Sequence, residues 1–134
     1  MSKRKFLLDA NLFIALTISE HEFHLPASSW AAGKALAVCP VVEGALIRTL
    51  LRLGERAEVA AEILAANATR YEWIADDITY RDVQLGTLRG HREVTDAYLA
   101  ALAARHDMTL ATFDEPLAKK HPSTVTLVPK KPSF

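Results

Sequence analysis

The chain has 134 residues; half are apolar, 16 are Lys or Arg, 16 are Asp or Glu, and one is cysteine. Balanced charge excludes recruitment of nucleic acid by net charge, so any such contact needs local clustering, and the lone Cys39 excludes an intrachain disulfide. The length suits one globular domain over residues 1–134, and no stretch nears the roughly 20 apolar residues of a membrane helix.

The opening MSKRKFLLDAN sets a basic start before an apolar run too short for a signal sequence, so a cytoplasmic protein is expected. Lys5 to Asp9 reads as a short buried strand, and Ala10 to Ile18 as a helix with Leu12, Phe13 and Leu16 at helical spacing. After the polar stretch from Ser19 to His24 and Pro26, the pattern predicts a helix from Ser28 to Lys34, then a strand from Ala35 to Cys39. Cys39 reads as a small buried apolar residue at a strand end rather than a nucleophile. Pro40 marks the next helix start, because its fixed φ suits a first turn. That helix, Val41 to Leu53, is apolar almost all round apart from Arg48 and Arg52, which predicts burial on more than one side, part of it against a partner.

Gly54 punctuates, and Glu55 to Asn67 forms an Ala-rich helix whose inward stripe is Val59, Ala60, Ile63 and Leu64. Tyr71 to Ile74 is a third strand, and Asp76 to Gly90 fits no single element. Thr95 reads as the cap of a helix running to Arg105, Met108 to Thr112 as a strand, and Asp114 as the cap of a short helix. Thr124 to Val128 is a last strand, and residues 129–134 a loose tail. Strands alternating with helices predict an α/β fold: a central parallel sheet with helices on both faces and right-handed crossovers.

In such sheets the ligand crevice lies beyond the carboxyl ends of the strands, and four acids fall there: Asp9, Glu43, Asp96 and Asp114. Taken singly, each has a plain explanation. Asp9 and Asp114 can be N-caps, and Asp96 a first-turn acid that suits the helix dipole. Glu43 resists such a reading, because Leu46, Ile47 and Leu50 stand at its helical offsets; Asp96 likewise leads Leu99, Ala100 and Ala103. Carboxylates on core-facing rows need a counter-charge, and no Lys or Arg lies on either row. A divalent cation is the economical answer, and all-oxygen ligands suit Mg²⁺ or Mn²⁺ in a site that hydrolyses phosphodiesters. If the acids converge, at least one should titrate above its usual range through like-charge repulsion.

The stretches LLDANLFIAL, CPVVEGALIRTL, GHREVTDAYLAALAARH and LATFDEPLAKK, in that order over nearly the whole chain, resemble PIN-domain ribonucleases, specifically VapC-type toxins of toxin–antitoxin systems. The resemblance implies that Asp9, Glu43, Asp96 and Asp114 form a catalytic, metal-holding quartet, supported by hydrogen bonds from Asn11 and Thr112. It also implies an RNA substrate, structured RNA such as tRNA, cut by metal-activated water, a homodimer, and a VapB-like antitoxin that blocks the acidic pocket.

Other side chains have competing readings. His21 and His24 lack a third ligand for zinc, and a solvated or interface role is favoured. Trp30 reads as core or dimer packing before base stacking. Arg48 and Arg52, or Arg81, Arg89, His91 and Arg92, can steer phosphates or form a solvated charged face; Arg92, His91 and Arg48 are the named RNA-contact candidates. Asp76 and Asp77 read as turn or cap residues before extra ligands. Two rival functions remain. A phosphotransfer receiver domain would want adjacent acids after the first strand and a lysine ending a late one, and LLDAN and LATFD supply neither. A catalytically inactive PIN-like module would keep the acids only as a dock for a basic antitoxin segment.

Overall fold

The structure is a computed structural model that describes residues 4–131. Five strands form one sheet: β1 (Lys5–Leu8), β2 (Ala35–Val38), β3 (Glu72–Trp73), β4 (Thr109–Thr112) and β5 (Val125–Leu127). Their spatial order is β3-β2-β1-β4-β5 and every pairing is parallel. Phe6, Leu7 and Leu8 of central β1 are all buried, as a strand covered on both faces requires.

The connections carry α1 (Ala10–Thr17), α2 (His24–Ala31), α3 (Pro40–Arg52), α4 (Ala57–Asn67), α5 (Val94–Arg105) and α6 (Glu115–Lys120). From β1 the chain steps outward through β2 to β3, then crosses back to β4 and β5 on the other side. Right-handed crossovers place α1 to α4 on one face and α5 and α6 on the other. The direction of travel reverses between β1 and β4, and a crevice opens there at the carboxyl end of the sheet.

Most sequence expectations stand within a residue or two, and the departures have local causes. The second helix starts at His24, four residues before the expected Ser28, because Pro26 lies inside its first turn, where a missing N–H goes unused. His24 Nδ1 also donates to Ala15 O at 2.8 Å, satisfying an orphan carbonyl in the last turn of α1 and tying the two helices together. Thr95 is not a cap: a 3₁₀ turn, His91–Glu93, runs straight into α5, whose cap position is Glu93 with no capping side-chain bond. The unassigned stretch resolves into 3₁₀ turns at Tyr80–Asp82 and Leu85–Thr87.

Helix α3 buries Val42, Leu46 and Leu50 on one face, while Val41 and Leu51, with the following Leu53, are exposed; its burial within this chain is one-sided. Cys39 supplies no side-chain cap to α3, and Asp76 does so from the loop after β3, its Oδ2 accepting from Val41 N–H at 3.2 Å. Gly54, at φ +96°, lets the chain turn left-handed and end α3. In the fourth helix only Ala60 of the expected stripe is fully buried, with Val59, Ile63 and Leu64 partly so. Residues 129–131 follow β5 without regular structure, and residues 132–134 of the expected tail lie outside the described residues. Among the described residues no helix is long and apolar enough to cross a membrane.

Candidate active site

Two neighbouring strands end in the same way. β1 runs into Asp9 and then α1; β4 runs through Phe113 to Asp114 and then α6. Each aspartate holds extended backbone and accepts from the amide three residues on: Asp9 Oδ1 from Leu12 N–H at 2.8 Å, Asp114 Oδ1 from Leu117 N–H at 2.9 Å. Both are therefore N-caps, as the plain reading held, and capping uses one oxygen of each carboxylate. Thr112, fully buried at the end of β4, joins the two corners. Its hydroxyl donates to Asp9 Oδ2 and accepts from Asp114 N–H at 3.0 Å.

Asp96 arrives from the other direction, in the first turn of α5. Its row is buried as expected, with Leu99 at 1%, Ala100 at 5% and Ala103 at 0% exposure, so the helix rotation that packs the core fixes where the carboxylate stands. Glu43 follows the same logic on α3, partly exposed above buried Leu46 and Leu50.

The electrostatics separate these acids. Burial pushes Asp9 up to about 6, against hydrogen bonds from Thr112 and Leu12 that lower it; Asp96 and Asp114 add like-charge repulsion. Asp96 also rises to about 6, through burial and then repulsion from Asp114 and Glu93. Like-charge repulsion was expected to lift at least one acid; it contributes to both, but burial is the larger cause. Asp9, Asp96 and Asp114 thus lie within mutual electrostatic range. Among the described residues none of the four carboxylates is in an ion pair, and no three acids, histidines or cysteines already form a ready-made metal cage. Three hard oxygen donors without a cationic partner are the chemistry that Mg²⁺ or Mn²⁺ fits.

A pocket of about 320 Å³ opens beside Asp96 and Asp114, with Arg89, Lys120 and His121 on its walls. Lys120 Nζ donates to Glu93 Oε1 at 2.9 Å and to Thr87 O at 2.6 Å, pinning the loop before α5 to the end of α6. Sequence reasoning missed Lys120 and Glu93, whose link spans 27 residues with no local spacing to reveal it. Of the basic group before Asp96, Arg89 reaches this pocket; His91 and Arg92 are exposed in the 3₁₀ turn and do not line it. Arg48 is exposed on α3, its guanidinium 3.5 Å from where a Cβ on Gly44 would stand. Asn11 is exposed at the start of α1 and lines, with Thr112, a second groove on the far side of Asp114.

The remaining candidates take structural places. His24 is occupied between Ala15 O and Ser28 Oγ. Asp77 pairs with His106 at 2.9 Å. Trp30 packs edge-on against Phe6, with ring centroids 5.1 Å apart. Cys39 is fully buried and burial pushes its thiol up to about 12, far from thiolate chemistry.

The family model for the PIN domain matches residues 6–121. Ribonuclease VapC29 of Mycobacterium tuberculosis is 42% identical over 127 residues, an alignment covering 92% of this chain and 96% of that protein. Ribonuclease VapC38 of the same species is 30% identical over 133 residues, covering 88% and 93%. Among solved structures, a chain of VapBC2 from Rickettsia felis bound to a DNA fragment from its promoter superposes with a TM-score of 0.63 over 92% of this chain and 98% of that one; at 16% identity this likeness speaks to fold.

Proposed function

The chain belongs to the PIN-domain family as a VapC-type ribonuclease, and from that premise we propose a metal-dependent endoribonuclease toxin that hydrolyses phosphodiester bonds of structured RNA such as tRNA. One PIN unit spanning residues 1–134 carries the activity. The observation behind the reading is that Asp9, Asp96 and Asp114 act on one another electrostatically at the carboxyl end of the sheet, with no cation paired to them among the described residues.

Asp9, Asp96 and Asp114 would hold Mg²⁺ or Mn²⁺, with Glu43 as the fourth acid. Such an ion, when bound, supplies positive charge to the phosphoryl oxygens and makes water acidic enough to attack near neutral pH. The chain's own part is placement. Thr112 and the Leu12 amide fix the rotamer of Asp9; the first turn of α5 aims Asp96; the cap bond to Leu117 sets Asp114. Asp96 and Glu43 would orient the attacking water. One of the two carboxylates takes its proton as the new phosphorus–oxygen bond forms, and the oxygen of the broken bond leaves taking a proton from solvent. Arg89, in the same pocket as Asp96 and Asp114, receives a phosphate oxygen.

A VapB-like antitoxin is the partner, and a homodimer the working form; exposed Val41, Leu51 and Leu53, at and just beyond the ends of α3, offer apolar surface for either contact. An RNA target and a single reduced cysteine suit the cytoplasm. The test is cleavage of total tRNA by the purified, antitoxin-free protein with Mg²⁺, Mn²⁺ or EDTA, beside Asp96→Asn. Discrete fragments that vanish with EDTA and with the variant are expected. Intact RNA under every condition, with metal still bound, would leave the acids as a dock for a basic antitoxin segment.

A further inference from the structure

On the side of Asp114 away from Lys120 lies a wider groove of about 660 Å³, within the range of roughly 300–1,000 Å³ usual for ligand sites. It shares Asn11, Thr112 and Asp114 with the acidic site, and the rest of its lining takes no part in the hydrolytic chemistry. Three rings run along its wall: His21 and Phe23 have centroids 6.0 Å apart, and Phe23 and Phe113 5.4 Å, inclined by 47° and 44°. Lys130 Nζ stands 5.6 Å from the Phe23 ring centroid. Phe113 is held in the core, so it is a fixed base for the run, while Phe23 is half-buried and presents ring surface to the groove.

A run of tilted rings beside a cation offers aromatic surface to a flat heterocycle, and every nucleobase has a face to lay on it. The rim decides which part of a nucleotide enters. Glu22 would repel a phosphate, and it and Glu115, whose carboxylate pairs with Lys119 at 3.5 Å, could accept hydrogen bonds from ring N–H and exocyclic amino groups. His21 Nδ1 accepts from Phe23 N–H at 3.0 Å, so its neutral ring carries the proton on Nε2, where it can donate to a base. Asp114 lines both cavities, so whatever fills the groove lies next to what is presented to Asp96.

We propose that the groove formed by His21, Phe23, Phe113 and Lys130 is a nucleobase subsite that takes one unpaired, amino-bearing base of the RNA beside the bond to be cut. The proposal rests on the ribonuclease reading and sharpens it. A base must leave its helical stack to enter, so the substrate is a loop or bulge and a continuous duplex is refused.

The test uses the full chain carrying Asp96→Asn and an RNA hairpin with 2-aminopurine placed singly along its loop. Stacking quenches this base, and quenching at one loop position is expected. Phe23→Leu, which keeps an apolar side chain against Phe113, should abolish that quenching and weaken binding on the order of tenfold, the size of one lost base stack. Lys130→Ala, an exposed position with no folding burden, should weaken binding in the same sense. In the cleaving protein both changes should raise KM and leave kcat nearly unchanged. Cleavage without quenching at any position, or an unchanged KM in both variants, would overturn the subsite and leave the nuclease standing. Quenching without cleavage would support the subsite while removing the nuclease reading. If Phe23→Leu releases only a basic peptide and not RNA, the groove belongs to a protein partner and the proposal falls.

Discussion

The two strand-to-helix corners, at Asp9 and at Asp114, are built alike and behave differently. Both place an aspartate at a helix cap with the same bond to the amide three residues on. Asp9 is 4% exposed, has both oxygens engaged and sits at about 6, whereas Asp114 is exposed. The difference lies in what surrounds each corner. Central β1 has neighbours on both sides, and its corner is roofed by the end of β4; the corner after β4 has only the edge strand β5 beyond it. The cap motif is local, whereas the charge state of the capping acid is set by residues up to 103 positions away.

If both corners serve one metal site, their chemistry should be equally vulnerable despite this contrast. Asp9→Asn and Asp114→Asn each keep a capping oxygen, so both should fold, and each should reduce cleavage by at least about 100-fold, the upper end of what losing a mere ligand-supporting partner costs. Turnover measured in Mn²⁺ checks this. A full loss at one corner with normal turnover at the other would break the pairing.

Proton linkage should then distinguish the corners. Without metal, Asp9 and Asp96 hold their protons to about 6 in the folded protein and to about 4 when unfolded. Between those values the unfolded chain ionises first, so stability should fall as pH rises, by at most about 3 kcal/mol from buried Asp9. Urea titrations in EDTA at pH 4 and pH 7 measure the step. Asp9→Asn should remove a substantial part of it, with Asp96 carrying the rest, and Asp114→Asn should leave most of it. Metal binding needs the ionised carboxylates, so affinity and cleavage should both weaken as pH falls through about 6.

Thr112→Val tests the link between the corners. Loss of the hydroxyl leaves the buried Asp9 Oδ2 without a donor, which should cost about 1–3 kcal/mol. It also removes a bond that lowers the Asp9 pKa, so the acid limb of the cleavage profile should move to higher pH. A purely packing role for Thr112 would change stability and leave that limb in place. The smallest effect belongs to the exposed corner. Asp114→Ala should lose about 1 kcal/mol of stability through the cap, and Asp114→Ser should recover most of it while remaining inactive, as denaturant midpoints and turnover together would report.

The same contrast between local and distant causes explains what was legible in the sequence. β1, α1, β2, α3 and the caps Asp9 and Asp114 follow from apolar spacing and capping chemistry over a few residues, and their bounds agree with the structure to within a residue. The rows ahead of Glu43 and Asp96 are likewise local; the Asp96 row points into the core as read, whereas ahead of Glu43 Leu46 and Leu50 are buried and Ile47 is only partly so. Pro26 misled because a proline in a first turn resembles one before a helix. Three other arrangements left no local trace: Asp76 capping α3 across 35 residues, Lys120 pinning the loop before α5, and the approach of Phe23 to Phe113. Each depends on a sheet order that periodicity does not encode.

The central claim is that acids from β1, α5 and the end of β4 form one cation site. Manganese titration of the ¹⁵N-labelled protein tests it most directly, because the paramagnetic ion broadens amides near where it binds. The account predicts that the amides of Asp9, Ala10, Asp96, Ala97, Asp114 and Glu115 broaden together from the first additions at pH 7, and far less at pH 5. Broadening confined to surface acids such as Glu20 and Glu62, with the Asp9 and Asp96 amides unaffected, would contradict it.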